Sequence, residues 1–524
     1  MSHDRVGIIG YGAYVPIQRI QSELIVRERE GKRKDLPAFL EKVRNGLLLY
    51  EKSVAGITED SITIATEAAQ NAVDMARIDP AEIETVAVGS ESKPYAVGTI
   101  ARHVASFLGM GNRVYIADLE GACNSGMQSN AFVESQILSG RIKYGLAVGT
   151  DVAQAPPGDP LEYACGAAAG AFLLGVNDPV AKIEDTAAYS SLTLDFWRRD
   201  GVHVPSHFGR TTVEAYIKHV IGAIEGLLMK HPEISLQDFD YITFHQPSGY
   251  MPMKTCKTLA QESIPILDNP ELEERIRLTP KFIEERIRPW LRVLDTGNTY
   301  AAATLVATCD ILDHAKPGED VLAVSYGSGA YTIATWLHVE DAIVRKRGRT
   351  PTVRDYLNRR RDISLHSYRR LMRFKQRSLR SKLEMPRIVA EVEPFNGDTL
   401  TFTLCNGCHR VFYPARDRCL EYDCPGPVEQ RTIPRSARLL SVDRPSVREQ
   451  FIPHFELLKQ GKALIVDTSA RDLTPGMELE SVIRRLDDEG RSGLIIYGPV
   501  YRPAFRTKAI LKEAEPAAAR VLAR

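Results

Sequence analysis

Over residues 1–340, short apolar runs alternate with longer stretches in which apolar positions recur every three or four residues. "RVGIIGYGAYVP" (5–16), "TVAVGSES" (85–92), "RVYIAD" (113–118) and "YGLAVGTDV" (144–152) have the length and Gly/Pro punctuation of buried strands. Between them, "SITIATEAAQNAVDMARI" (61–78), "GTIARHVASFLGM" (98–110) and "SGMQSNAFVESQILSG" (125–140) carry the helical period. The scheme returns with strands at "DYITFHQP" (240–247) and "DVLAVSYGSG" (320–329), and helices at 251–263 and 299–315. The pattern predicts an α/β fold built by duplication, with halves 1–176 and 177–340.

Beyond residue 340 the texture changes twice. The segment 341–387 reads as helical and basic, and the count from Arg345 to Arg387 is 16 Lys/Arg against three Asp/Glu. We expect a solvated helical linker there, with a face for an anionic ligand or an acidic partner as the other reading. From residue 388 short β-like runs take over, among them "RIVAEVEPF", "DTLTFTLC", "GKALIVDTS", "GMELESVIRRL" and "SGLIIYGPVYRPAF". Several strands in such a span, separated by turn signals, predict a small barrel. We divide this region into 388–428, 429–510 and a flexible tail, 511–524.

Charge and composition narrow the function. The 67 Lys/Arg balance the 67 Asp/Glu, so no global field recruits nucleic acid or an anionic membrane. "DTLTFTLCNGCHRVFYPA" has few basic residues among its aromatics, which also speaks against nucleic acid. The first ten residues have no signal-like apolar core, and the small-apolar tract 164–176 is short for a membrane span. The opening glycines are spaced GxxGxG and followed by Pro16, which excludes a dinucleotide fingerprint. We expect Gly10 and Gly12 to permit a tight turn.

The eight cysteines fall at 123, 165, 256, 309, 405, 408, 419 and 424, four scattered and four clustered, unlike a secreted disulfide framework. We expect a reducing, cytoplasmic setting. Cys405-x2-Cys408 and Cys419-x4-Cys424 supply two thiolate pairs ten residues apart, the donor set of a closed, structural tetrahedral Zn2+ site.

Cys123 lies in "LEGACNSGMQSN", at a strand-to-helix turn among small residues. A thiol at a helix start feels the field of unpaired N–H groups, which favours thiolate, and those groups can hold an oxyanion. Other polar residues sit at similar places. Glu91 lies at a strand end between Ser90 and Ser92, and His245 at another, followed by Lys254. Asn298 opens a helix behind a glycine, and "SYGSGA" (325–330) is a turn holding Gly327 and Ser328. Cys165, Cys256 and Cys309 read as packing residues.

Residues 1–340 resemble the archaeal-type hydroxymethylglutaryl-CoA synthases of the thiolase superfamily, on "GSESKPYAV", "GACNSGMQS", "DFWRRDG", "FHQPSGYMPMK", "GNTYAAA" and "SYGSG". Residues 388–510 resemble the zinc-ribbon plus OB-fold module of the DUF35 type, which in relatives bridges a synthase and a thiolase. The resemblance implies a five-layer α-β-α-β-α fold and coenzyme A thioesters as substrates. It implies that Cys123 carries an acetyl group from acetyl-CoA and that Glu91 removes a proton from its methyl. His245 would hold a ketoacyl-CoA, and Asn298 would contact the acyl chain. The amides of Cys123 and the Gly327–Ser328 turn would form the oxyanion hole. Lys254 would lie near the CoA phosphates. A homodimer or larger assembly, and a thiolase partner, are further implications.

The acceptor stays open at this point. Acetoacetyl-CoA leads, a different ketoacyl, polyketide or aromatic acceptor is the alternative, and a scaffold that channels CoA thioesters with a thiolase is a third reading. The setting would be isoprenoid or polyketide metabolism.

Overall fold

The computed structural model describes residues 5–153, 155–193, 195–199, 202, 204–376, 401–408, 411–412, 417–419, 424–432, 435–438, 474–488 and 495–504. They fall into two units, one holding most residues up to 370 and the other most residues from 371.

The first unit follows the alternation read from the sequence. In chain order its main elements are β1 (Gly7–Tyr14), α1 (Ser61–Ala76), β2 (Thr85–Gly89), β3 (Tyr115–Leu119), α2 (Ser125–Leu138), β4 (Gly145–Val152), β5 (Ala167–Gly175) and β6 (Ala181–Thr193). Then come α3 (Gly209–Lys230), β7 (Tyr241–Phe244), α4 (Tyr250–Leu259), α5 (Ala303–Leu312), β8 (Asp320–Val324) and β9 (Gly329–Val339). Helix α1 has an explicit start signal. The Asp60 carboxylate accepts the Thr63 amide at 3.0 Å, while the Thr63 hydroxyl oxygen accepts the Asp60 amide at 2.9 Å.

The strands run in the order β7-β8-β9-β6-β1-β5-β4-β2-β3. The duplication is legible in that order. The first half reads β3-β2-β4-β5-β1, and the second reads β7-β8-β9-β6. Corresponding strands of the two halves pair in parallel, β2 with β4 and β7 with β8, and an antiparallel strand follows each pair. The halves meet where Gly7 pairs with Lys182.

Helix α1 covers one face of the first half, and α5 packs on β5 and β1. Helix α5 also touches β7, β8 and α2, so α2 and α5 form a central layer between the halves, while α3 covers β6 and β9. Gly10 and Gly12 lie within β1 rather than in a turn. A Cβ on Gly12 would stand 2.4 Å from the Ala68 carbonyl oxygen, so these glycines let α1 press onto the strand. The strands β5, β6 and β9 were not singled out by the pattern, because β5 is a continuous small-apolar run buried on both faces, which shows no alternation.

Within the basic segment, helices Ala342–Lys346, Val353–Asn358 and Leu365–Gln376 lie among the described residues, which extend as far as residue 376. In the second unit, Thr401–Cys405 pairs with Val411–Phe412 and Val428–Thr432, and Glu478–Asp488 pairs with Ser436–Arg438 and Ile495–Pro503. The runs "RIVAEVEPF" and "GKALIVDTS" and the tail 511–524 lie outside the described residues. Among the described residues no helix is long and apolar enough to cross a membrane.

Candidate active site

Cys123 sits in a 3-10 turn, Ala122–Asn124, leading into α2, and no side chain caps the helix start. The turn is tight, since Ala122 has φ +49°. Its approach to the second half depends on missing side chains. A Cβ on Gly126 would stand 2.1 Å from the Ala301 carbonyl oxygen, at the start of α5. The first turns of α2 and α5 therefore meet within the first unit.

Glu91 follows β2, and its carboxyl lies within hydrogen-bonding reach of the Cys123 thiol. Oε1 of Glu91 is buried without a hydrogen-bond partner. Burial first, and then the nearby Asp151, push the Glu91 carboxyl up to about 8. Burial and Glu91 push the Cys123 thiol well above its ordinary value. That corrects the expectation of a thiolate in the resting protein, because desolvation and a neighbouring carboxyl outweigh the helix field.

Asp151, at the end of β4, is fully buried and was missed by sequence reasoning. Its Oδ1 accepts the Ser90 hydroxyl at 3.0 Å, the Glu91 amide at 2.9 Å and the Ser92 hydroxyl at 2.6 Å. Its Oδ2 accepts the Ala301 amide at 2.9 Å. One carboxylate thus ties the Glu91 segment to the start of α5. Burial raises Asp151 to about 6, less than Glu91, because these donors favour its charged form. The only signal was a charge ending a strand that is otherwise apolar.

His245 follows β7, with its amide bonded to the Val324 carbonyl at 2.8 Å and its carbonyl accepting the Tyr216 hydroxyl at 2.6 Å. Burial drives the imidazole down to about 3, so it is neutral, and its Nδ1 is buried without a partner. The adjoining turn carries Gly327 and Ser328 beside the Cys123 turn. A Cβ on Gly327 would stand 2.2 Å from the Gly121 carbonyl oxygen. The Gly327 amide already donates to the Tyr331 carbonyl at 2.8 Å, so Gly327 supplies close approach rather than an oxyanion donor. Gly329 likewise donates to Asp195, another buried carboxylate not foreseen, at 3.0 Å.

Asn298 precedes α5, and its side-chain oxygen accepts the Tyr300 amide at 2.9 Å. Tyr300 joins Cys123, Cys165, Ala153 and Ala155 in one buried cluster. Lys254 is exposed on α4. Cys256 and Cys309 are buried packing residues, as read. A cleft of about 480 Å3 adjoins the Cys123 turn, lined in part by Gly121, Ala122, Ser328 and Tyr331.

In the second unit the Sγ atoms of Cys405, Cys408, Cys419 and Cys424 all lie within 4.8 Å of one another. Cys405 and Cys424 are 3.5 Å apart, and Cys408 and Cys419 are 3.6 Å apart. A ZnS4 tetrahedron with bonds of about 2.3 Å has edges of roughly 3.8 Å, so the set fits such an ion.

A buried thiol and carboxyl at the ends of facing helices and strands, on a duplicated α/β sheet, define a thiolase-fold condensing enzyme. The family described as "Thiolase, N-terminal domain" matches residues 53–167. The hydroxymethylglutaryl-CoA synthase of Methanopyrus kandleri is 41% identical over 369 residues, 70% of this chain and 97% of that protein. That of Archaeoglobus fulgidus is 43% identical over 339 residues, 64% of this chain and 90% of that protein. In fold the chain matches MvaS in complex with 3-hydroxy-3-methylglutaryl coenzyme A, with a TM-score of 0.62 and 23% identity over 70% of this chain and 91% of that one. PksG, a synthase from Bacillus subtilis, gives 0.61 at 21% identity over 74% and 94%. The chain belongs to the hydroxymethylglutaryl-CoA synthase family, whose members are acyl-CoA condensing enzymes.

Proposed function

We propose that the chain joins the acetyl group of acetyl-CoA to the ketone carbon of acetoacetyl-CoA and releases hydroxymethylglutaryl-CoA. The observation that carries this reading is the Cys123 thiol beside the Glu91 carboxyl in a largely dry site. Cys123 Sγ attacks the thioester carbonyl, the sulfur–acyl bond forms, and CoA leaves with the thiol proton. The amides of Cys123 and Ser328 hold the oxyanion, a role in which one donor is worth about 10²–10³ in rate. Ionised Glu91 then takes a proton from the acetyl methyl, and the carbon attacks the ketone, whose oxygen gains a proton. Water hydrolyses the thioester to Cys123 and restores the thiol.

His245, held neutral by burial and with an unpartnered Nδ1, binds the ketoacyl-CoA and polarises its carbonyl as a neutral donor. Asn298 contacts the acyl chain and Lys254 meets the CoA phosphates. Asp151 positions Glu91. The four clustered cysteines hold a structural Zn2+, since four thiolates complete its coordination.

The remaining readings follow the same lines. The domain division 1–176, 177–340, 341–387, 388–428 and 429–510 is retained, with the last two as zinc ribbon and OB-fold. Strand β3 is an edge strand with Tyr115 exposed, which supports pairing with a second copy in a homodimer. The second unit is the candidate dock for a thiolase. Cysteines that are all free of disulfides agree with a cytoplasmic setting.

Labelled acetyl-CoA, an acid quench and peptide mapping test the acyl carrier. Label on the Cys123 peptide, lost in Cys123→Ala, is the expected result, and label elsewhere overturns it. Turnover with acetoacetyl-CoA tests the acceptor, and absence of CoA release there would favour the alternative ketoacyl, polyketide or aromatic acceptor.

A further inference from the structure

The wall of the cluster around Cys123 contains a second thiol that the mechanism does not use. Cys165 is 1% exposed and shares its buried cluster with Cys123, Tyr300, Ala153 and Ala155. Its Sγ lies 3.2 Å from the Tyr300 hydroxyl, and the Phe196 ring meets Tyr300 edge-on at 5.9 Å. The main chain around it is fixed on both sides. The Asn298 amide donates to the Ala164 carbonyl, and the Gly166 amide donates to the Asn298 carbonyl, each at 2.7 Å. A Cβ on Gly166 would stand 1.9 Å from the Thr296 carbonyl oxygen, so this segment is pressed against the end of the short helical turn Val293–Thr296 that precedes Asn298.

The same segment is held from outside. Glu162, 1% exposed, is ion-paired to Arg369 of helix Leu365–Gln376. Lys52, also buried, reaches the Tyr368 hydroxyl at 3.2 Å and the Glu162 carbonyl. Arg369 also pairs with Glu28, but Glu162 is fully buried, and displacing the loop would leave its carboxylate buried without its ion-pair partner, as it would strip Lys52 of the Glu162 carbonyl. Cys165 therefore stands on a loop fastened at both ends.

We propose that Cys165, backed by Tyr300 and fastened through the Glu162–Arg369 pair, closes the acyl pocket and limits the group carried by Cys123 to two carbons. The inference rests on Cys123 as the acyl carrier. A rigid apolar wall gives such a limit directly. An extra methylene must displace packed atoms, and one methylene in an apolar pocket changes selectivity by about 10- to 200-fold. Arg369 acts here as a positioning residue, since it touches the loop and not the acyl group.

The test is acylation of the full-length protein by acetyl-, propionyl- and butyryl-CoA, followed by intact mass and stopped-time rates. In each transfer the acyl–sulfur bond to Cys123 forms as the bond to CoA breaks, and CoA carries off the proton. The wild-type protein is expected to take acetyl at least about tenfold faster than propionyl. Cys165→Ala should raise the propionyl-to-acetyl ratio by about tenfold, and the near-isosteric Cys165→Ser should leave it unchanged. Arg369→Ala should raise the same ratio without abolishing acetyl transfer. Equal wild-type rates for the two acyl groups, or an unchanged ratio in folded Cys165→Ala, overturn the proposal. If Cys165→Ala does not fold, the wild-type series and Arg369→Ala decide it. No acylation by any of the three would instead overturn the reading of Cys123.

Discussion

The Cys123 thiol and the Glu91 carboxyl face each other within hydrogen-bonding reach, one ahead of α2 and the other after β2, in the same half of the duplication. Both titrate high, because neither charge is welcome in a site that has little water and a second carboxylate. A proton held between them can pass from sulfur as the acyl bond forms. Once the departing CoA has carried that proton away, the carboxylate that accepts the methyl proton already stands beside the acetyl group.

That arrangement separates the two half-reactions. Glu91→Gln keeps the shape and removes the base, so Cys123 should still acquire label from acetyl-CoA. Condensation should fall by about 10²–10⁴-fold. Parallel measurement of acyl-enzyme by mass and of product by CoA release checks this. Normal condensation in Glu91→Gln would transfer the base role elsewhere.

Asp151 makes a prediction about pH. Glu91 must be ionised to accept a proton, so condensation should rise with pH through about 8. Part of that displacement comes from the Asp151 charge, and Asp151→Asn removes it. The acid limb of the rate profile should therefore move to lower pH, even though the maximal rate falls with the lost ties to Ser90, Ser92 and Ala301. A purely structural role would lower the plateau and leave the limb in place.

Much of this site was legible because its residues sit at ends of strongly apolar elements. A carboxylate at 91 and a histidine at 245 each interrupt a buried run where a strand terminates, and a cysteine at 123 opens the buried start of a helix. Asp151 obeys the same rule, but a single acid closing "GLAVGTD" reads as an ordinary strand end until the fold brings Ala301 onto it. The Gly327 amide is a different case. Its pairing with Tyr331 depends on a turn conformation that composition does not encode. The ionisation of Cys123 was misjudged because a helix start is visible in sequence, whereas desolvation by long-range packing is not.

His245 should leave its mark on acid stability. The imidazole has an unfolded pKa of about 6.5 and is driven to about 3 in the fold by burial. Well above pH 6.5 neither state binds the proton and the histidine has no effect on the slope. As pH falls from 6.5 toward 3 the unfolded chain takes up a proton that the folded one refuses, so stability declines by up to about 1.4 kcal/mol per pH unit. Melting temperatures measured across that window should fall less steeply for His245→Gln than for the parent. An equal slope in both proteins would mean that the histidine is protonated in the fold.

The cysteine cluster predicts a metal count and a direction of pH dependence. Amides of Cys408 and Gly407 point at Cys405 and hold its thiol down at about 6, so at neutral pH one ligand is already ionised before a metal arrives. The other thiols must lose protons on binding, and zinc affinity should fall as pH is lowered. Full-length protein purified without chelator should contain about one zinc per chain by elemental analysis. Cys408→Ser leaves three thiolates and should weaken binding by more than about a hundredfold, since even outer partners of a ligand are worth 10–100-fold. Acylation of Cys123, which resides in the other unit and uses no metal ligand, should survive the same substitution. Stoichiometric zinc in Cys408→Ser would mean that the ion is held elsewhere, and metal-free wild-type protein with an intact fold would remove the structural role altogether.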